Sequence, residues 1–212
     1  MSRVSLFRRL YLLLPSRARR GQSLVEFTVM LPVLLIMISG VIELGFMLNY
    51  YLDLIDATRE ATRWAAGDDP VHDAAGTWVD PNTTFYDEVQ EVALQSLDEG
   101  SGGQITLDDT SDDIVISSFS VSGGAITARF PAALGEDGLS LYNQRTSAFT
   151  TAEVQALLDP GAPNTGIVMV EMYYDYHMIL GLPWITAFLP DPITLYAYTM
   201  MPNPNVEPTP TP

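Results

Sequence analysis

Apolar residues fill one unbroken stretch near the start of the chain, FTVMLPVLLIMISGVIELGFML from Phe27 to Leu48, whose single ionisable group is Glu43. Coiled as a helix it is about 33 Å long, enough to cross a hydrocarbon core of about 30 Å. Pro32 removes one backbone donor inside the run, which a membrane helix tolerates, and it predicts a kink or a locally melted turn. The helical pattern continues through NYYLDLIDATREATRWAAG without Pro or Gly until Gly67, a suitable residue for closing a helix. Leu54, Ala57, Ala61 and Trp64 recur there at steps of three and four, an amphipathic stripe. One helix of about 45 residues follows, its first half apolar all round and its second half packed under a domain.

Beyond Gly67 the pattern shortens. A loop rich in turn formers leads to a helix over Phe85–Leu97, with Thr84 as its N-cap and Phe85, Val89, Val92, Ala93 and Leu97 as its buried stripe. Gly100–Gly103 ends it. Ile114–Val121 and Ala125–Phe130 flank Gly123-Gly124 and read as a hairpin. Thr150-x-x-Glu153 is a capping box that opens a short helix to Leu158. The clearest strand is Ile167–His177, in which Val168, Val170, Met172, Tyr174 and Tyr176 alternate with Glu171, Tyr173, Asp175 and His177. That alternation predicts one core face and one polar face. A last strand runs from Ile193 to about Met200. The expected class is α+β: a long N-terminal transmembrane helix continuing into a small extracytoplasmic domain with three or four antiparallel strands and short helices.

Charge sharpens this picture. Six of the ten arginines (Arg3, Arg8, Arg9, Arg17, Arg19 and Arg20) precede Gly21, and no acid does. The remainder sets four arginines against 26 acids, a net charge of −22, with no lysine anywhere. Basic residues that flank a span stay on the cytoplasmic side, so the N-terminus is expected inside and the acidic domain outside. A body of that charge is a poor ligand for a phosphate backbone, which argues against a nucleic-acid partner. The absence of cysteine removes disulfides, thiolate metal sites and thiol nucleophiles. A cleaved secretory signal would have a shorter apolar core and a small-x-small site, and neither is present.

At the cytoplasmic edge stands Arg19-Arg20-Gly21-Gln22-Ser23-Leu24-Val25-Glu26-Phe27: a basic leader, a glycine, a glutamate five positions on, then the span. This resembles the processing site of type IV-like prepilins. The stretch from Arg19 to Ala66 resembles the TadE-like family, the minor pilins or pseudopilins of Tad/Flp tight-adherence pilus systems. The features in register are RRGQ-x-x-VEF, the Leu31-Pro32 pair, Glu43-Leu44-Gly45 and the A-x-R-E-A-x-R-x-A run. The resemblance implies cleavage after Gly21 by a prepilin peptidase, leaving Gln22 as the new N-terminus and Glu26 at the fifth mature position. It also implies partners among other Tad pilins and inner-membrane assembly proteins, and a place in the inner membrane or, after processing, in an extracellular pilus. Small major pilins are little more than a processed helix, so the sizeable outer domain favours a minor or tip component. The other reading is a permanently membrane-anchored exported binding domain that never joins a filament.

The domain organisation expected is a leader over 1–21, the long helix over 22–66 with its span at about 27–48, an outer domain over 67–201, and a proline-rich tail over 202–212. Within the span, Glu26, Val33, Met37, Gly40, Glu43 and Leu44 are expected to form one face for helix–helix contact, two carboxylates with a glycine between them. Glu43 equally fits a place at the outer interface. Gly21 lets the backbone enter a narrow peptidase cleft in extended form, and Glu26 is costly near lipid unless paired, with the amino group of a neighbouring subunit as its partner.

No cofactor is implied, and no enzyme is expected. The run Asp108-Asp109-x-x-Asp112-Asp113 lacks EF-hand spacing and reads as a solvated acidic loop. His177 beside Asp175 and Glu171 reads as a surface residue rather than a metal ligand. The Tyr173, Tyr174, Tyr176 strand is a candidate adhesion surface, although at strand spacing such residues more often pack inside. The segment Ile179–Leu189, with Trp184 and Phe188, is unusually apolar for a loop and fits either lipid or a partner pilin.

Overall fold

The computed structural model describes residues 17–98, 103–159 and 164–206, with side chains from Gly21 onward. The basic leader up to residue 16, most of the Gly100–Gly103 break, and the tail from residue 207 lie outside the described residues. The chain divides into two compact units, Met1–Leu44 and Gly45–Pro212. The boundary therefore falls inside the long helix, and the helix beyond it belongs with the second unit, the domain expected to lie outside.

Helix α1 runs over Arg17–Ala65 and stays helical through Pro32, with no melted turn. In the first unit its side chains are almost all exposed; Ser39 and Glu43 are buried. Short polar side chains there bond back to their own helix. Thr28 Oγ1 donates to the Leu24 carbonyl at 2.8 Å and Ser39 Oγ to the Ile36 carbonyl at 2.9 Å. Such bonds give each hydroxyl an acceptor within its own helix.

The second unit has three layers. Its centre is an antiparallel sheet built from β1 (Asp113–Ser122), β2 (Ala125–Phe130), β3 (Leu139–Ser140), β4 (Gly166–Tyr176) and β5 (Ile193–Asn203). The order is β2-β1-β4-β5, and the short β3 pairs with the same edge of β1 as β2 does. The hairpin expected around Gly123-Gly124 is present, with Ser122 opposite Ala125 and both glycines at positive φ, 61° and 78°. Two consecutive positive φ values are what a tight two-residue hairpin turn demands. The sheet is thus five-stranded, one strand more than the upper expectation, because the two-residue β3 is too short to leave a pattern in the sequence.

One face of the sheet presents Ile114, Ile116, Val168, Val170, Met172, Leu195 and Ala197 to two helices. From α1 come Leu54, Ala57, Ala61 and Ala65, all essentially unexposed, so the expected stripe ends on Ala65 with Trp64 half-buried at its margin. The helix closes there, Gly67 N–H donating to the Trp64 carbonyl at 3.0 Å. From α2 (Thr83–Leu97) come Phe85, Tyr86, Val89, Ala93 and Leu97. Its N-cap is Asn82, not Thr84: the Asn82 side chain accepts from Phe85 N–H, and its amide donates to the carbonyls of Asp69 and His72 at 2.9 and 2.7 Å. Three adjacent cap-forming residues compete there, and Asn82 alone holds the preceding loop as well.

The other face is covered too, which corrects the expected polar face of β4. Met169 and Glu171 are wholly buried beneath the 141–150 segment and α3 (Thr151–Leu157). Phe119, Met169 and Val154 form a second small core there with Phe149 and Met200 at its edge. β5 continues through Asn203, three residues past its expected end. Asn203 and Val206, assigned from sequence to the proline-rich tail, are buried, Val206 against Val71 and Phe130.

Candidate processing and assembly site

The residues expected to carry processing lie near the N-terminal end of α1. Gly21 is helical and exposed, and a Cβ placed on it meets nothing within 4 Å. The fold itself therefore does not ask for glycine at this position. Gln22 and Glu26 stand one turn apart, and the Gln22 amide donates to Glu26 Oε1 at 3.1 Å. The carboxylate at the head of the apolar run is thus exposed, and among the described residues its hydrogen-bond donor is a neutral amide one turn back in its own helix. Extended presentation of Gly21 to a peptidase requires the first turns of α1 to unwind, because they are helical here.

The residues expected to share one face do not all lie on one side of the helix. At 100° per residue, Val33, Met37, Gly40 and Leu44 lie within about 40° of Glu26, whereas Glu43 lies about 100° away. Burial agrees with that geometry. Val33, Met37 and Leu44 are 55%, 66% and 50% exposed, while Glu43 is 5% exposed. Glu43 therefore lies off the side that carries Glu26, and the two carboxylates are not stacked on one side of the helix. At Gly40, as at Gly45, a Cβ would meet nothing within 4 Å, so the space a side chain would fill is open.

In the outer domain the acidic positions serve loops. Asp113, fully buried, accepts from Ser140 Oγ and from the backbone N–H groups of Ile114, Tyr142, Gln144 and Arg145 at 2.6–3.1 Å. Asp112 accepts from the N–H groups of Asp108 and Asp175 at 2.8 and 2.7 Å, and its burial pushes its carboxyl up against the pull of those bonds. The Asp108–Asp113 run is therefore not a solvated loop at its second half: two of its carboxylates bind backbone inside the protein. Among the described residues no group of three His, Cys, Asp or Glu is placed to hold a metal ion. His177 stands 3.3 Å from Asp191, and Asp175 pairs with Arg145 and accepts from Thr194.

Glu171 is the hub of the covered face. It accepts from Ser147 Oγ, from Ala148 N–H at 2.8 Å and from the Tyr196 phenol at 2.7 Å. Burial first, and the neighbouring Glu171 next, push the Tyr196 and Tyr173 phenols well above their ordinary range. Arg129, nearly buried, reaches Ser117 Oγ, the Phe149 carbonyl and Glu136, with its guanidinium 5.1 Å from the Phe119 ring centre. The candidate adhesive tyrosines are spent in packing. Tyr176 is buried, Tyr174 stacks on Tyr50 at 5.9 Å with its phenol pushed up to about 12 by burial, and Tyr173 packs on Tyr196.

Among the described residues one helix, Gly21–Ala65, is long and apolar enough to cross a bilayer, as a membrane anchor would be, and it leads into an α+β domain that holds a five-stranded antiparallel sheet. Residues 21–63 match the family model described as TadE-like protein, so the likeness indicated by the motifs of the N-terminal helix is found by comparison as well. The comparison with curated proteins and the comparison with solved structures each give no match. The match opens on Gly21 and closes within α1, so the outer domain lies beyond it.

Proposed function

We propose that this chain is a TadE-like minor pilin, or pseudopilin, that takes part in assembling a Tad/Flp-type pilus after prepilin peptidase cuts behind Gly21. The observation that carries this reading is the TadE-like match from Gly21 onward, with Glu26 at the head of the apolar run. Its role is structural rather than catalytic. The six arginines of the leader hold the precursor with its N-terminus in the cytoplasm and its domain outside. Cleavage removes them and creates an α-amino group on Gln22.

Within an assembled filament water is excluded, and a carboxylate needs a cationic partner there. Among the described residues Glu26 accepts from the Gln22 amide of its own helix, a neutral donor, and the new amino group of a neighbouring subunit supplies the charge. The face around it, Val33, Met37, Gly40 and Leu44, is exposed or partly so, and the open space at Gly40 allows close approach of a second helix. Other Tad pilins and the inner-membrane assembly proteins are the partners this face fits.

Two measurements test the proposal. N-terminal sequencing of the native protein is expected to begin at Gln22; a chain that retains Met1 removes the processing step. The processed chain is then expected in the sheared pilus fraction. A processed chain confined to the membrane fraction would favour the permanently anchored binding domain.

A further inference from the structure

Residues 177–192 join β4 to β5, and their composition differs from the rest of the outer domain. Only His177 and Asp191 can carry charge in this stretch, and they face each other at 3.3 Å. Asp191 also accepts the Met178 N–H. The loop is pinned from within by Met178, which is buried, and by Ile185, which packs against the main core. Leu180 and Leu182 are half-buried, and four other large side chains are exposed. Ile179, Trp184 and Leu189 are 40–49% exposed, and Phe188, at 86%, is the most exposed large apolar residue among those described. A water-facing loop of a strongly acidic domain has no physical reason to concentrate apolar surface and shed charge together.

The place of the loop supplies the reason. It leaves the sheet at Tyr176 and returns at Ile193, which are paired partners. Tyr50 of α1 packs on Tyr174 and Tyr176, at 5.9 and 5.3 Å between ring centres. The opposite end of the helix, Ala65, meets Asn203 at the far end of β5. The loop thus emerges beside Tyr50, two residues past the end of the apolar run at Leu48. That is the end of the outer domain from which the anchor passes into lipid.

We propose that the β4–β5 loop is a lipid-contacting element, with Phe188, Leu189, Ile179 and Trp184 lowered into the boundary between headgroups and acyl chains beside α1. The inference rests on the reading of α1 as a membrane anchor. Tryptophan and tyrosine favour that boundary, where an apolar body and a polar tip are both accommodated; Tyr50 and Tyr51 follow the apolar run directly, and Trp184 lies in the loop that leaves the sheet beside Tyr50. Asp191 is the one carboxylate in the loop, and the His177 ring stands 3.3 Å from it, so the loop presents far less negative charge to a headgroup layer than the rest of the acidic domain. The same apolar surface turned toward a second copy of the chain is the rival outcome.

The chain has no cysteine, so one introduced thiol labels a single site. The full chain is reconstituted in phosphatidylcholine–phosphatidylglycerol vesicles with an environment-sensitive fluorophore on Phe188→Cys. Leu35→Cys serves as the marker for the span. Leu157→Cys, exposed on α3 and close to Ile167 and Pro202 at the opposite end of the sheet, serves as the marker for water. A nitroxide carried on the lipid near the headgroup is expected to quench the Phe188 position about two-fold or more relative to Leu157. Quenching of a lipid-depth nitroxide probe at Leu35 with none at Phe188 overturns the loop assignment alone. No quenching at Leu35 overturns the anchor and the loop assignment with it. Emission at Phe188 that shifts to the blue with protein density but ignores the nitroxide assigns the loop to chain–chain contact and overturns lipid contact.

Discussion

Glu171 shows what single residues do in this domain. A carboxylate in the middle of β4 is fully buried, and it stands there because hydroxyl, phenol and backbone donors converge on it. Removing it leaves those donors unpaired in a dry interior, and the resulting cost is large. Glu171→Ala is expected to lower unfolding stability by about 3 kcal/mol, measured by denaturant titration. Glu171→Gln keeps the volume and two or more of the bonds and is expected to cost less. An unchanged midpoint for Glu171→Ala would show that the hub carries no weight. From sequence this residue looked like part of a polar surface, because period-two alternation reveals which side chains share a face but not whether a later loop covers it. The same holds for Asp112 and Asp113, whose buried role depends on partners about 30 and 60 residues away.

Elements were more legible where their signals are local. The glycine hairpin and the Thr150–Glu153 capping box follow from short-range stereochemistry, and both are present, the box with its two reciprocal bonds. β3 escaped notice because two residues carry no period, and the α2 cap was misplaced because Asn82, Thr83 and Thr84 are equivalent until the loop packed behind them is known. The capping box also sets an acid response. Glu153 is held below the ordinary glutamate value by the Thr150 backbone and hydroxyl, and Glu136 by the Thr151 backbone, the Thr151 hydroxyl and Arg129. A depressed carboxyl contributes stability above its unfolded value and loses it as pH falls through the folded one. The melting temperature is therefore expected to drop as the pH is lowered past 4.5, and to drop less in the Glu136→Gln, Glu153→Gln double variant. Equal acid sensitivity in both proteins would discard these two groups as the cause.

At the scale of the whole molecule, apolar length marked the helix able to cross a bilayer, and several motifs in register from Arg19 to Ala66 carried the resemblance to the TadE-like family, whose model matches residues 21–63. The packing of the outer domain was not readable, since it arises between segments far apart in the chain. Asn203 is the clearest case. Its amide donates to the carbonyls of Ala65 and Asp68 at 2.9 Å each, joining the last strand to the end of the first helix. Asn203→Ala is expected to cost about 1–2 kcal/mol, read as an earlier thermal transition, with no change expected at Tyr50. This clamp bears on how the domain carries load. Within the outer unit α1 runs alongside β4 and β5, touching Tyr174 near residue 50, Thr199 at Thr58 and Asn203 at Ala65. A pull applied along the helix axis therefore acts in shear, straining the apolar stripe, the threonine contact and the asparagine clamp together rather than peeling them off in turn. The outer unit is built to stay seated on its helix under tension.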